Sequence, residues 1–192
     1  MTSSDAEPFA STERLILRGF VPEDFEAYSA YRSLPAIYRY LYSDPPSSRE
    51  MRERFDAGLN TSLLEDGNIL RCAVVRRKDD VLLGQVSLKL TNKAALQAEV
   101  GYIFNPAYAG KGYATEAAEA VITLGFERFS FHRIFARLDA KNTGSIGVLE
   151  RLGLRREAHL IQNDRFNGVW GDEYFYATLR DEWAARAPNR AR

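Results

Sequence analysis

The stretch that most constrains this chain is Asn105-Pro-Ala-Tyr-Ala-Gly-Lys-Gly-Tyr-Ala-Thr-Glu116. A short apolar strand ending near Phe104 passes through two closely spaced glycines, Gly110 and Gly112, straight into an apolar helix. In that helix Ala114, Ala117, Ala118, Val121, Ile122, Gly125, Phe126 and Phe129 recur at alternating steps of three and one, the stripe of a helix laid on a sheet. Glu116, Ala120, Thr123 and Glu127 fall on the opposite face. The first turns bury only alanines, so this end can approach the sheet closely. Glycines ahead of a helix N-terminus leave backbone N–H groups without intrahelical partners and carry no side chain to hold a ligand away. Such a loop is an anion cradle suited to a phosphate or pyrophosphate. It is not a Walker loop, because no Gly-Lys-Ser/Thr follows, and it lacks the third glycine of the dinucleotide fingerprint. Alone, Gly-x-Gly before a helix is often only a tight entry turn.

The rest of the chain gives that unit its neighbours. Residues 1–11 read as a disordered leader, and residues 14–20 as the first strand. Pro22-Glu-Asp opens a helix that turns Phe25 and Tyr28 inward. Residues 34–46 are aromatic and irregular, with Tyr38, Tyr40 and Tyr42 alternating before a double proline. Ser47-Ser-Arg-Glu50 is a capping box, and Met51, Phe55 and Leu59 mark the helix behind it. Two strands, 68–77 and 81–90, are joined by Lys78-Asp-Asp80, and a third runs over 96–104. After the central helix, residues 133–138 alternate as a half-buried strand. Asn142 or Thr143 caps a short helix bearing Ile146, Leu149 and Leu152, which Gly153 stops. Two last strands, about 154–163 and 171–180, are joined through Asn167-Gly168. Residues 184–192 read as a loose tail. The order β-α-α-β-β-β-α-β-α-β-β predicts one domain over 12–183. It is an α/β protein with a mixed sheet of about seven strands, helices on both faces, and a parallel pair around residues 96–140.

Composition narrows the function classes. Lys+Arg and Asp+Glu both number 26, so the net charge is zero, which argues against a general nucleic-acid or membrane-surface binder. No apolar run nears the ~20 residues of a membrane helix, and the N-terminus lacks the regions of a signal peptide. The single Cys72, inside the apolar run 69–75, reads as a core thiol in a reducing cytoplasm. His132 and His159 are too isolated to hold a metal or build a nucleophilic triad.

Three strings carry a likeness to a known family: Ala-Gly-Lys-Gly-Tyr-Ala-Thr-Glu-Ala, then His132-Arg-Ile-Phe-Ala-Arg-Leu-Asp, then Asn142-Thr-Gly-Ser-Ile-Gly-Val-Leu-Glu-Arg-Leu-Gly-Leu154. In this order and separation they resemble the GNAT N-acetyltransferases, and among them the branch typified by the ribosomal-protein N-terminal acetyltransferases. The likeness spans roughly residues 12 to 183. It implies that acetyl-CoA lies where two central parallel strands splay apart, the strands ending at Phe104 and Ala140. It places the CoA pyrophosphate on the backbone of Gly110, Lys111, Gly112, Tyr113, Ala114 and Thr115. The same likeness puts the pantetheine arm on the backbone near Ile103 and Phe104 and on Asn142, and Ser145 near the thioester sulfur. Many members have a tyrosine four residues after the Ser145 position as the acid for the thiolate. Here that position is Leu149, which leaves Ser145, alone or through a water. The family usually has Gln or Arg where this chain has Ala107. Tyr38, Tyr40 and Tyr42 fall in the region that lines or covers the acceptor side.

The residues themselves also offer a base. Glu99 lies on the strand leading to the cradle with Gly101 and Ile103 on its face, while Val100, Tyr102 and Phe104 point the other way. Solvent exposure at a sheet edge is the plain alternative. The expectation is an acyl-CoA-dependent N-acyltransferase that needs no metal and no covalent enzyme intermediate. The acceptor is a peptide N-terminus, such as that of a ribosomal protein, or a small-molecule amine. The rival is a non-catalytic acyl-CoA-binding module. No membrane or direct nucleic-acid partner is expected, and a homodimer is left open.

Overall fold

Alternating apolar and polar side chains draw the chain into eight strands, and the computed structural model describes them within residues 7–186. They are β1 (Ala10–Ser11), β2 (Leu15–Arg18), β3 (Ile69–Arg76), β4 (Val81–Asn92), β5 (Gln97–Phe104), β6 (Arg133–Asp139), β7 (Arg155–Phe166) and β8 (Val169–Leu179). One sheet holds them in the order β1-β2-β3-β4-β5-β6-β8-β7. Every neighbouring pair is antiparallel except β5 and β6, which the long connection through a helix makes parallel.

Among the described residues six α-helices cover the faces: α1 (Phe25–Arg32), α2 (Pro35–Tyr38), α3 (Ser48–Leu59), α4 (Tyr113–Glu127), α5 (Thr143–Arg151) and α6 (Arg180–Ala185). The alanine-rich stripe of α4 packs as its spacing requires, with Ala117, Ala118, Val121 and Ile122 wholly buried against Leu88, Ala98 and Ile134. At roughly 1.5–3 kcal/mol per large apolar side chain removed from water, this layer is the main apolar glue of the sheet. Leu149 and Leu152 of α5 and Trp183 of α6 complete it. The opposite face is aromatic. Phe20, Tyr28 and Phe55 meet edge-on or tilted at ring separations of 5.2–5.7 Å, with Met51, Ala73 and Val75 beneath. Cys72 lies wholly inside β3, where burial pushes its thiol up to about 12, the environment of an inert core group.

Local signals fixed several boundaries. Ser47 accepts from the Glu50 N–H and Glu50 accepts in return, so the capping box forms as written. The Asn167-Gly168 turn has φ of 49° and 80°, the paired left-handed values of a two-residue hairpin, and extends β7 and β8 beyond the expected 154–163 and 171–180. Other expectations need correction. The sheet, expected to have about seven strands, has eight among the described residues, because Ala10 and Ser11 pair with Leu17 and Ile16. The part of the supposed leader at 9–11 is therefore ordered by backbone pairing that a two-residue strand cannot advertise. Residues 1–6 of that leader lie outside the described residues. Of the expected tail, Ala184 and Ala185 continue α6, while residues 187–192 also lie outside.

Gly84 sets the close approach of β4 to the end of β5. An added Cβ there would lie 2.4 Å from the Ile103 carbonyl oxygen and 2.7 Å from the Phe104 Cα. Those are backbone atoms that cannot turn aside, so Gly84→Ala is expected to destabilise by at least the ~1–3 kcal/mol usual for an overpacked methyl. The urea unfolding midpoint reads this out, and a midpoint equal to the parent's would show that the strands can part freely.

Candidate active site

The parallel ladder between β5 and β6 is only three residues long: Gln97 faces Arg133, Ala98 faces Ile134 and Glu99 faces Phe135. Beyond Glu99 each strand keeps its outer neighbour, β4 on one side through Phe104 and β8 on the other through Asp139, so the two diverge. The opening between them is a cleft of about 220 Å3, walled by Val100 to Ile103 and by Ala136 to Asp139. Gln85 and Ser87 of β4 lie on its floor, and Asn142, Ser145 and Leu149 of α5 close one side.

The glycine-rich loop stands at the end of this opening. Gly110 and Gly112 have φ of 75° and 77°, values that side chains resist, and no neighbour lies within 4 Å of where a Gly110 Cβ would be. Gly112 is itself the cap of α4, and no side chain caps the helix. The first N–H groups of α4 therefore point outward without an intrahelical partner, and the helix dipole adds positive potential. Of the cations around the loop, Arg14 is engaged by Glu116 at 2.5 Å and Arg76 by Asp79 at 2.7 Å. Lys111 and Arg151 make no ion pair among the described residues. Arg151 donates from Nε and Nη2 to the Thr115 hydroxyl at 3.3 Å, leaning its guanidinium on the first turn of α4. The sequence hid Arg151, because a basic residue in the last turn of a helix looks like a dipole partner. Loop and cations together fit a pyrophosphate. A larger groove of about 570 Å3 beside residues 9–13 is lined by Glu13, Glu116, Glu119 and Glu127, a wall that repels phosphate.

The remaining expected site residues fall out as follows. Asn142 caps α5, its Oδ1 accepting the Ser145 N–H at 3.1 Å, which leaves its Nδ2 to face the cleft. Ser145 also lines the cleft, beside Tyr102. Ile103 is in the wall, whereas Phe104 packs against the main core. Glu99 sits at the closed apex, on the face of Gly101 and Ile103, and is not itself in the wall. Two strand steps, about 6–7 Å, separate it from Gly101 and Ile103 in turn, and Gly101 puts no side chain in between.

The three tyrosines do not share a face. Residues 35–38 form a helical turn instead of an extended run, so Tyr38 turns into the aromatic core at 5% exposure, with Arg32 over its ring at 5.4 Å. That corrects its expected place on the cleft. Tyr40, with Leu41, does line the cleft. Tyr42, held at φ 48°, reaches across and donates to Asp139 Oδ2 at 2.5 Å. Asp139 and its cross-strand neighbour Glu173 were missed by sequence reasoning, because each sits in an ordinary strand. Yet both are buried, at 8% and 4% exposure. The Lys141 N–H and Tyr42 bind Asp139, and Asn163 and Arg137 attend Glu173. The segment over residues 39–46 is thus strapped across the open end of the splay.

Gly171 makes the strap possible, since an added Cβ would lie 1.9 Å from the Tyr42 hydroxyl oxygen. In that seat burial first, then the bond to Asp139 and its negative charge, raise the Tyr42 phenol well above the ordinary range. Gly171→Ala is expected to expel the ring and let Tyr42 titrate near the usual value of about 10. Phenolate absorbance against pH, with Tyr42→Phe as the blank, measures this; a folded variant with the parent's titration would place the seat elsewhere.

Comparison with known proteins agrees with this geometry. The acetyltransferase (GNAT) domain family matches residues 14–155. The uncharacterized N-acetyltransferase YnaD of Bacillus subtilis is 33% identical over 174 residues, covering 90% of this chain and 98% of that protein. The spermidine N(1)-acetyltransferase of Escherichia coli K12 is 25% identical, covering 83% of each. The crystal structure of a GNAT-family acetyltransferase from Bacillus anthracis superposes with a TM-score of 0.82 at 30% identity, over 90% of this chain and 99% of that one. The splayed parallel pair, the glycine cradle at its end and the match over most of the length converge: the chain belongs to the GNAT family and is an acetyl-CoA-dependent N-acetyltransferase.

Proposed function

We propose that this enzyme acetylates an α-amine, the N-terminus of a protein such as a ribosomal protein, by direct attack on the thioester. The observation that carries the placement of chemistry is the three-residue β5–β6 ladder, which opens a cleft directly beside the uncapped N-terminus of α4. Bound acetyl-CoA supplies an activated acetyl group. The N–H groups of Gly110 to Thr115, with Lys111 and Arg151, take its pyrophosphate. The open edge of β5 at Ile103 and Phe104 pairs with the amide-rich arm, and Asn142 Nδ2 donates to it from the other wall.

Magnitudes favour the α-amine. Its ordinary pKa is about 7.7–8.0, so a useful fraction is neutral at pH 7, while a lysine near 10.4 costs roughly 4–5 kcal/mol to deprotonate there. Neither histidine lines the cleft, and Asp139 is occupied by Tyr42 and the Lys141 N–H. Glu99, acting through water along the space left by Gly101, is then the base, and it suits the easier proton. One observation favours a second reading. The buried carboxylates of Asp139 and Glu173 at the mouth would attract a small amine carrying further positive charge, as the name of the spermidine relative describes for that enzyme.

The cradle is tested by Gly112→Asp, because Asp tolerates the left-handed backbone better than most residues but adds bulk and charge against a pyrophosphate. Calorimetry should show CoA affinity falling at least tenfold, and a folded variant with the parent's affinity would move the cradle elsewhere.

Proton transfer is tested by kcat/KM against pH. General-base help is worth about 10²–10⁴-fold, and a modest amine pKa puts Glu99 at the low end. Glu99→Gln should therefore be slow at neutral pH and recover in part as pH rises and more amine is neutral. Ser145→Ala should cost less and leave the acidic limb unchanged. A Glu99→Gln enzyme with the parent's rate at every pH would make Glu99 a surface carboxylate.

A further inference from the structure

Tyr102 is the phenol that crosses the splay. It stands on β5 one residue beyond Gly101, faces α5, and donates its hydroxyl to the Ser145 backbone carbonyl at 3.2 Å. Ser145 lies in the first turn of α5, so its carbonyl already receives the helical N–H four residues on. The O–H···O distance also exceeds the ~2.7–2.8 Å of a good hydroxyl bond. The hydroxyl is thus half-buried at the cleft wall and held by one long hydrogen bond. Its ring packs on the main core, so little reorganisation is needed to use it. Besides the Ser145 hydroxyl, the cleft around it offers few rivals. Leu149 is apolar and wholly buried, the Asn142 Nδ2 donor is given to the amide-rich arm in the proposed placement, and Tyr40 belongs to the segment above.

We infer that the Tyr102 hydroxyl is the hydrogen-bond donor to the departing CoA sulfur, a catalytic residue of this enzyme in addition to Ser145. The inference rests on the proposed placement of acetyl-CoA in the splay. In the step, the amine nitrogen bonds to the acyl carbon and the C–S bond breaks with its electron pair passing to sulfur. The amine proton leaves through water toward Glu99, and the sulfur takes a proton from water as CoA departs. Tyr102 keeps its own proton throughout and turns its O–H from the Ser145 carbonyl to the charged sulfur, which is the stronger acceptor. Burial, only partly offset by Ser145 and the Arg151 charge, pushes the phenol up to about 12, so it remains a donor across working pH.

The test is the ionisation of CoA bound to the enzyme, followed by thiolate ultraviolet absorbance against pH, alongside steady-state kinetics. In the parent, the bound thiol should ionise more readily than free CoA. Tyr102→Phe, which keeps the ring, should weaken that ionisation by about tenfold in its constant. It should also lower kcat by roughly 10–10²-fold, below the ~10²–10³ of an oxyanion donor because sulfur is a more diffuse acceptor. KM for acetyl-CoA and the affinity for CoA with its thiol protonated should stay as they were, which a merely structural role would not separate. Installing a ring-fluorinated tyrosine at 102, a stronger donor, should move the ionisation the opposite way and serves if the Phe variant folds poorly. Identical thiol titrations in parent and variants, with CoA bound in each, would overturn the assignment to Tyr102 alone. A parent protein that binds no CoA would overturn the acetyl-CoA placement beneath it.

Discussion

The structure depends on a ladder that stops early. Parallel strands at the centre of a sheet normally stay paired, because each unpaired backbone group buried away from water costs free energy. Here β5 and β6 separate after Glu99 and Phe135, while β4 and β8 continue to hold their outer edges. The result is an open strip of backbone donors and acceptors with fixed spacing in the middle of a rigid sheet. A thioester with an amide-rich arm is a natural partner for such an edge, and a phosphate is a natural partner for the helix end beside it. Both features arise from the single β5–loop–α4–β6 unit.

Other parts of the molecule keep that unit in shape. Arg18 and Asp24 form a two-bond ion pair at 2.7 and 2.9 Å that ties the end of β2 to the start of α1. The aromatic layer of Phe20, Tyr28 and Phe55 supports one face of the sheet, and the alanine stripe of α4 supports the other. Arg32, buried at 8% exposure, has no carboxylate partner among the described residues and lies over the rings of Tyr28 and Tyr38. Ring faces offset only part of the cost of burying a guanidinium, so this position is a weak point in an otherwise apolar layer.

Much of this was legible because its signals are local. The α4 stripe, the Ser47–Glu50 box, the Asn167-Gly168 turn and the alternation in β3 to β6 each need only neighbours along the chain. What stayed hidden needs contacts between distant residues. Ala10 and Ser11 become a strand only because Ile16 and Leu17 offer an edge. Tyr38 was misplaced because a single helical turn shifts side-chain direction from a two-residue to a three-to-four-residue repeat. Asp139 and Glu173 look like ordinary strand carboxylates until Tyr42, 97 residues from Asp139, arrives over Gly171. Alternation placed Tyr102 on the face opposite Glu99 but gave no sign of what its hydroxyl would meet.

The strand order has a further consequence for how the molecule holds together. Strands β1 to β5 neighbour one another in chain order, although α1, α2 and α3 all lie between β2 and β3. β6 follows the α4 crossover, and the β7–β8 hairpin pairs with it through β8, which leaves β7 at the far edge. The cleft therefore lies along the seam between the two halves of the sheet, joined there by only three residue pairs. A molecule bound across that seam is also a staple. At a free concentration of 100 times its dissociation constant it adds about 2.7 kcal/mol to the folded state, which ties resistance to unfolding in the cell to the supply of the donor.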